Sequence, residues 1–245
     1  MIPRIEQMRI TASLIVLLIA TLQDIKDREV DDIIWLIGLS LGGILDIFSL
    51  FSVGLTAQKI VRYLRFSIPF LFIILISWRF RLMGGADILA FITLAIIQPS
   101  HPLGKCMFPP AFCTMLYSNF LMLILPFSFL MWNLSLILKG NRIFDGFKES
   151  SLRKILASLF AIAVQAEKAK KFKFFSIAQE GSSPEKKFKL VSVLSIPETK
   201  EELPKTKEHL VWICPSVPMI PFILAGYVLT MLIGDPVLLL IEIFK

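Results

Sequence analysis

The sequence predicts an all-α integral membrane protein with about six transmembrane helices and a small cytoplasmic domain inserted before the last of them. Three observations carry that class. Hydrophobic residues make up 56% of the 245 residues and 21 are Phe, and the mean hydropathy is +0.74, all outside the range of soluble domains. Six apolar runs offer themselves as crossings of a hydrocarbon layer roughly 30 Å thick. A long polar stretch of different composition separates the fifth run from the sixth.

The runs cover about 5 to 23, 33 to 54, 63 to 78, 88 to 112, 113 to 138 and 216 to 243. No small-residue cleavage signal follows the first, because charge begins directly after Thr21, Leu22 and Gln23, so it reads as a permanent helix rather than a removed signal peptide. The third is short. Pro99, Pro102, Pro109 and Pro110 interrupt the fourth, so its helix is expected to stop near Gln98 or kink. The organisation that follows is a membrane segment at 1–138, an insert at 139–210 and a last membrane helix within 211–245.

Six crossings place the loops at 24–32, 79–87 and 139–210 on one side, with 19 Lys and Arg against 7 on the other. Counting only the ends of the long loop leaves 12 against 7. Basic loops stay in the cytoplasm, which puts the N-terminus outside and those three loops inside the cell membrane. The formal charge of +7 comes mostly from one loop beside the bilayer, so no nucleic-acid partner is expected. Cys106, Cys113 and Cys214 form no CxxC, and no metal site is expected.

Within the insert, "ESSLRKILASLFAIAVQA" at 149–166 has apolar positions at helical spacing, with Ser150 and Ser151 as caps. It reads as an amphipathic helix on the membrane face. "KFKLVSVL" has the composition of a strand. The plainer reading is a solvated basic connector lying on anionic lipid.

Five acids and two bases crowd into residues 24–32, "DIKDREVDD". Asp24 ends the first helix and Asp87 begins the fourth, and in a six-crossing chain both ends face the cytoplasm at similar depth. The two carboxyls can therefore meet. Two that do cannot both ionise cheaply, so one holds a proton while the other accepts one from water, as amide hydrolysis requires. Taken alone, each Asp reads as a solvated helix cap.

The surrounding residues sharpen the reading. "GGAD" at 84–87 resembles the GxGD signature of intramembrane aspartic proteases, with Ala86 where the second Gly usually stands. "QDIKDREV" at 23–30 resembles the other aspartate motif of type IV prepilin peptidases. The helix count, the large insert before the last helix and the ending "WICPSVPMIP...LIGDP" also resemble the archaeal preflagellin, or class III signal peptidase, branch of that family.

The resemblance implies an aspartic endopeptidase with Asp24 and Asp87 in the catalytic positions, no metal or organic cofactor, and precursor archaellin or pilin polypeptides as substrates at the bilayer. Bacterial relatives add a methylating domain with paired CxxC motifs, which has no counterpart here, so no methyl transfer is expected. Such precursors carry a short basic leader before a hydrophobic helix. The acids Asp27, Glu29, Asp31 and Asp32 would face that leader; the plainer reading, which suits Asp31 and Asp32 best, is that they cap helix two and pair with Lys26 and Arg28. Gly84 and Gly85, lacking Cβ atoms, allow the chain to lie against an extended substrate strand; the plainer reading is a flexible loop.

Asp46 and Asp235 lie roughly 20 Å or more from the proposed site at about 1.5 Å per residue, and read as structural. Gly38, Gly42 and Gly43 offer a close-packing face in helix two. His101 and His209 have no partnered acid or Ser and read as solvated. A rival class is a proton- or cation-coupled transporter using membrane carboxylates, which internal symmetry would favour; none relates helices one to three with four to six. A noncatalytic membrane assembly factor is a third.

Overall fold

The computed structural model describes residues 4–53, 68, 70–80, 83–104, 106–169, 174–181, 186–189 and 210–244. The chain divides into two units, Met1–Met122 with Pro218–Lys245, and Leu123–Val217. The first is helical: α1 Arg4–Asp27, α2 Asp32–Val53, α4 Gly85–Ile97, α5 Pro110–Met122, α9 Ile220–Ile233 and α10 Pro236–Ile243, with a short α3, Phe70–Arg79. Leu17, Ala20, Phe91, Leu94, Ile223 and Tyr227 are central to its core.

Local chemistry sets the ends of these helices. Helix α1 closes on Arg28, which adopts a left-handed φ of 62° and donates its N–H to the Asp24 carbonyl at 3.1 Å, a left-handed C-terminal cap usually built on Gly. Helix α4 stops where the prolines require: Gln98 donates its N–H to Leu94 O at 2.9 Å and Pro99 follows. Helix α5 opens on Pro110, whose missing N–H is no loss at that position.

Small residues let the helices approach. A Cβ at Gly42 would lie 3.1 Å from the Ile97 backbone nitrogen, and one at Gly38 would lie 2.6 Å from Thr93 Cγ2, so this glycine face packs α2 onto α4. Gly43 has open space. Gly226 in α9 is tighter, with its Cβ position 2.7 Å from Thr114 O and 2.9 Å from Ser118 N of α5.

Two of the acids set aside as structural are structural. Arg9, almost wholly buried, donates to Asp46 Oδ1 and to Ile97 O, each at 2.7 Å, joining α1, α2 and the end of α4. Asp235 caps α10 through Val237 N at 2.9 Å and also accepts Met107 N and Phe108 N at 3.0 and 3.2 Å.

Among the described residues three helices are long and apolar enough to cross a membrane: Arg4–Asp27, Asp32–Ser49 and the run Pro110–Leu138. Helices α9 and α10, bent by 57°, would together make a fourth. Among the described residues, then, the six expected crossings are matched by three long spans, one bent pair and two shorter apolar helices. The fourth sequence run yields only the thirteen residues of α4, because the prolines end it, and the third yields the ten of α3, residues 63–67 and 69 lying outside those described.

The second unit departs from the all-α expectation. It holds α6 Ile124–Leu138, α7 Ser151–Phe160 and α8 Ala166–Ala169 together with β1 Ile162–Gln165, β2 Phe175–Ile177, β3 Gln179–Glu180, β4 Lys187–Phe188 and β5 Leu210–Pro215. Strand β5 is the centre of an antiparallel sheet in the order β1-β5-β2. "LVWICP" is apolar enough to be taken for the start of a membrane helix, which is why the sequence boundary at 211 falls inside it. A central strand covered on both faces carries the same continuous apolar run.

Ser150 caps α7 by accepting Arg153 N–H at 3.5 Å; the expected extension to 166 becomes β1 instead. In "KFKLVSVL" the strand covers Lys187–Phe188, and the residues from 190 lie outside those described. Phe147, Phe188 and Trp212 form the core, with stacked rings 4.2 Å apart for the first two. Asn133 staples the unit, donating to Ser158 O and Ala161 O and accepting Ala163 N–H.

Candidate active site

The site residues all belong to the first unit. Asp24 sits one turn from the end of α1, buried, and its Oδ2 accepts the backbone N–H of Ile220 at 3.0 Å. That donor is the first residue of α9, so the carboxylate meets the positive end of a fourteen-residue helix. Asp87 occupies the first turn of α4, and its Oδ2 accepts the N–H of Gly84 at 3.1 Å.

Asp24 acts electrostatically on Asp87, and the Arg28 guanidinium acts on Asp24 more weakly than its burial does. Burial pushes the Arg28 guanidinium below its usual range and the Asp24 charge draws it back up. The structure thus gathers two carboxyl groups, one cation and oriented backbone donors at one end of α1, α4 and α9. One carboxyl of such a pair can hold a proton while the other is charged.

The other sequence candidates fall as follows. Asp27 and Glu29 are exposed beside the α1–α2 turn, with Asp27 Oδ2 3.9 Å from Lys26 Nζ. Gly84 is extended at φ −66° and Gly85 opens α4 with open space at its Cβ position. Neither uses a conformation closed to other residues; what Gly84 supplies is its N–H. Ala86 is helical, where Ala is a better residue than Gly, so its departure from the GxGD pattern costs the local backbone nothing.

Asp31 does not cap α2 with its side chain. Its Oδ2 accepts from Gln23 Nε2 and its N–H donates to Gln23 Oε1, both at 2.9 Å, a clasp across the turn next to Asp24. The expectation of a solvated His101 is also corrected: the ring is buried, with Nδ1 accepting Leu103 N–H at 3.2 Å. His209 lies outside the described residues. Among the described residues, no group of three or more His, Cys, Asp or Glu is placed to hold a metal ion.

Sequence reasoning missed the partners of Asp24. A backbone donor from residue 220 carries no side-chain signature, and Arg28 read as one more charge in a crowded loop. The left-handed φ of Arg28 has no signal in a residue type that favours it only rarely.

Residues 11–127, which include both aspartates, match the model of the Type IV leader peptidase family. Residues 153–236, which include Ile220, match that described as Archaeal Peptidase A24 C-terminus Type II. A preflagellin peptidase of Methanococcus voltae is 28% identical over 239 residues, covering 92% of this chain and 94% of that protein. A preflagellin peptidase of Methanococcus maripaludis is 25% identical over 233 residues, covering 91% and 93%.

Proposed function

We propose that this chain, which belongs to the type IV leader peptidase family, cleaves the short leader from preflagellin-like precursors, with Asp24 and Asp87 as the catalytic carboxyl pair. The observation that carries the mechanism is that these two acids, 63 residues apart in sequence, lie near enough for Asp24 to act electrostatically on Asp87, one in the last turn of α1 and the other in the first turn of α4. The near full-length similarity to two preflagellin peptidases supports the substrate class. It does not favour a transporter.

In this reading the ionised carboxylate takes a proton from water as the water oxygen bonds to the scissile carbonyl carbon. The protonated partner donates to the carbonyl oxygen, giving a tetrahedral diol. Breakdown passes a proton to the leaving amine as the C–N bond breaks, which returns one carboxyl to each state. Gly84 and Gly85 border Asp87 where an extended substrate can lie along the backbone, and the exposed acids Asp27 and Glu29 face its basic leader.

The topology that goes with this reading has six crossings, the shorter apolar stretches included, an external N-terminus, and the active site and the 139–210 insert at the cytoplasmic face of the cell membrane. The excess of Lys and Arg in those loops supports that sidedness. The reaction is tested by incubating the purified protein with a preflagellin precursor in detergent or vesicles and mapping the new N-terminus by mass spectrometry. Release of a short basic leader is expected; an intact precursor, or a cut within the mature chain, refutes the assignment.

A further inference from the structure

The second unit holds a basic pocket that the cleavage reaction does not use. Its cavity of about 420 Å³ is lined by Lys148, Glu149, Ser150, Arg153, Lys186 and Lys187, four cations against one acid. Lys186 is buried, with Nζ 5.7 Å from the centre of the Phe147 ring, so one of the cations is held by the core of the unit. The pocket also lies at the start of the ten-residue helix α7, whose first N–H groups carry partial positive charge. Cations gathered at a helix start suit a phosphate.

The acid narrows the class of ligand. The Glu149 side chain is 5% exposed. Its Oε1 accepts from Arg153 Nη1 at 3.3 Å and from Phe188 N–H at 3.2 Å, while its Oε2 is buried without a hydrogen-bond partner. A buried carboxylate oxygen that lacks a donor is costly. A fully ionised phosphate has no proton to give it, whereas a hydroxyl on the same ligand does. The cations and the acid are satisfied together by a phosphate ester that carries a free hydroxyl.

The neighbouring surface says where such an ester resides. Leu152, Ile155 and Phe160 are exposed on α7, and apolar side chains beside basic ones are the pattern of a helix lying at a membrane interface. Asn133 donates to Ser158 O and Ala161 O, which fixes the far end of α7 to α6 five residues before α6 ends at Leu138. The run Pro110–Leu138 is long and apolar enough to cross a membrane, which sets its end at the headgroup layer. Helix α7 spans only about 15 Å at 1.5 Å per residue, so the pocket at its start stays within reach of that layer.

We propose that this pocket binds the headgroup of an anionic membrane lipid, a phosphate ester with a free hydroxyl. The phosphate lies among Lys148, Arg153, Lys186 and Lys187, and the hydroxyl donates to Glu149 Oε2. Binding there holds α7 at the bilayer surface. The site is independent of the assignment of Asp24 and Asp87.

The test measures lipid affinity for the full chain in detergent by native mass spectrometry, with three lipids of the same acyl chains. Phosphatidylglycerol has the phosphate and hydroxyls, phosphatidylethanol has the same charge without a hydroxyl, and phosphatidylcholine is zwitterionic. Phosphatidylglycerol is expected to bind roughly tenfold more tightly than either of the others, the scale of one hydrogen bond to a charged group. Lys148→Ala combined with Lys187→Ala, both at exposed positions, should weaken it roughly tenfold, as the loss of two exposed ion pairs does. Lys139→Ala combined with Lys168→Ala removes the same charge from other exposed positions and should leave it unchanged. Equal binding of phosphatidylglycerol and phosphatidylethanol overturns the proposal. Equal weakening by the two double variants also overturns it, because it reduces the effect to net charge. Displacement of the lipid by an equal concentration of glycerol phosphate overturns the lipid as the source and assigns the pocket to a soluble ester. If either variant unfolds early in a thermal scan, the three lipids on the wild-type chain decide the proposal by themselves.

Discussion

The Oδ2 atom of Asp24 accepts the backbone N–H of Ile220 at 3.0 Å, across a separation of 196 residues. The bond ties the end of the first helix to the start of α9, so the acid is held by the fold rather than by its own loop. Asp87 is held differently, by the N–H of Gly84 three residues before it. In both cases the partner is a backbone donor, which an amide oxygen satisfies as well as a carboxylate does.

Asp24→Asn and Asp87→Asn are therefore expected to fold as wild type does and to lose nearly all cleavage. Each keeps its hydrogen bond but leaves half of the carboxyl pair. A pair that works with one shared proton also makes the wild-type rate fall on both the acid and the alkaline side of an optimum. Wild-type turnover in either variant, or a flat profile with chemistry rate-limiting, would falsify the two-carboxyl mechanism. Precursor cleavage and thermal unfolding, measured on the same preparations, separate activity from folding.

Sidedness can be read by thiol labelling in sealed vesicles. Single cysteines placed at Asp27 and in the insert, at Lys148, in a background freed of Cys106, Cys113 and Cys214, are expected to label from the same side of the membrane. A cysteine at Lys105, in the proline-interrupted end of the fourth apolar run, should label from the other. Opposite labelling of Asp27 and Lys148 breaks the parity of the six-crossing topology.

How much of this was legible in the sequence differs from element to element. The strong apolar runs and the Pro99 stop were plain, because helix period and proline chemistry act locally. Asp24 and Asp87 stood out through their neighbours, and the glycine face of α2 through its spacing. The sheet was hidden, since "LVWICP" in a buried central strand and the start of a membrane helix are both simply apolar. Also hidden were the groups defined by tertiary contact alone: Ile220 N–H on Asp24, Gln23 against Asp31, and Asn133 with its three backbone partners. Arg9, inside an apolar run, likewise carries no local sign of the Asp46 and Ile97 O that close around it.

That last contact predicts an asymmetry in stability. Arg9 is 2% exposed, whereas the Asp46 side chain is 45% exposed. Removing the acid leaves a buried cation with a backbone carbonyl for company; removing the cation leaves a half-exposed carboxyl, which can neutralise itself by taking up a proton as a guanidinium cannot by losing one. Asp46→Ala is thus expected to cost more than Arg9→Met, by about 1 to 3 kcal/mol. The double variant should recover part of the loss. Equal losses, or the reverse order, in unfolding monitored in detergent would mean that the pair is not buried as described.

Asp27 and Glu29 are expected to hold the substrate's basic leader, so that changing both to Lys weakens cleavage mainly through KM. Both are exposed on the turn that follows Asp24, where unlike charges at roughly 4 Å attract by a few kcal/mol before screening and desolvation reduce this to about 1 kcal/mol per pair. Two pairs shift affinity by roughly tenfold or more. Salt should weaken the wild-type preference for a basic leader, because it screens exposed charges over about 8 to 10 Å. The deciding assay exchanges charges, giving the Lys double variant a precursor whose leader is acidic. Recovered cleavage in that pairing is the expected result. Equal loss with both leaders means that the two acids shape the loop around Asp24 and do not touch the substrate.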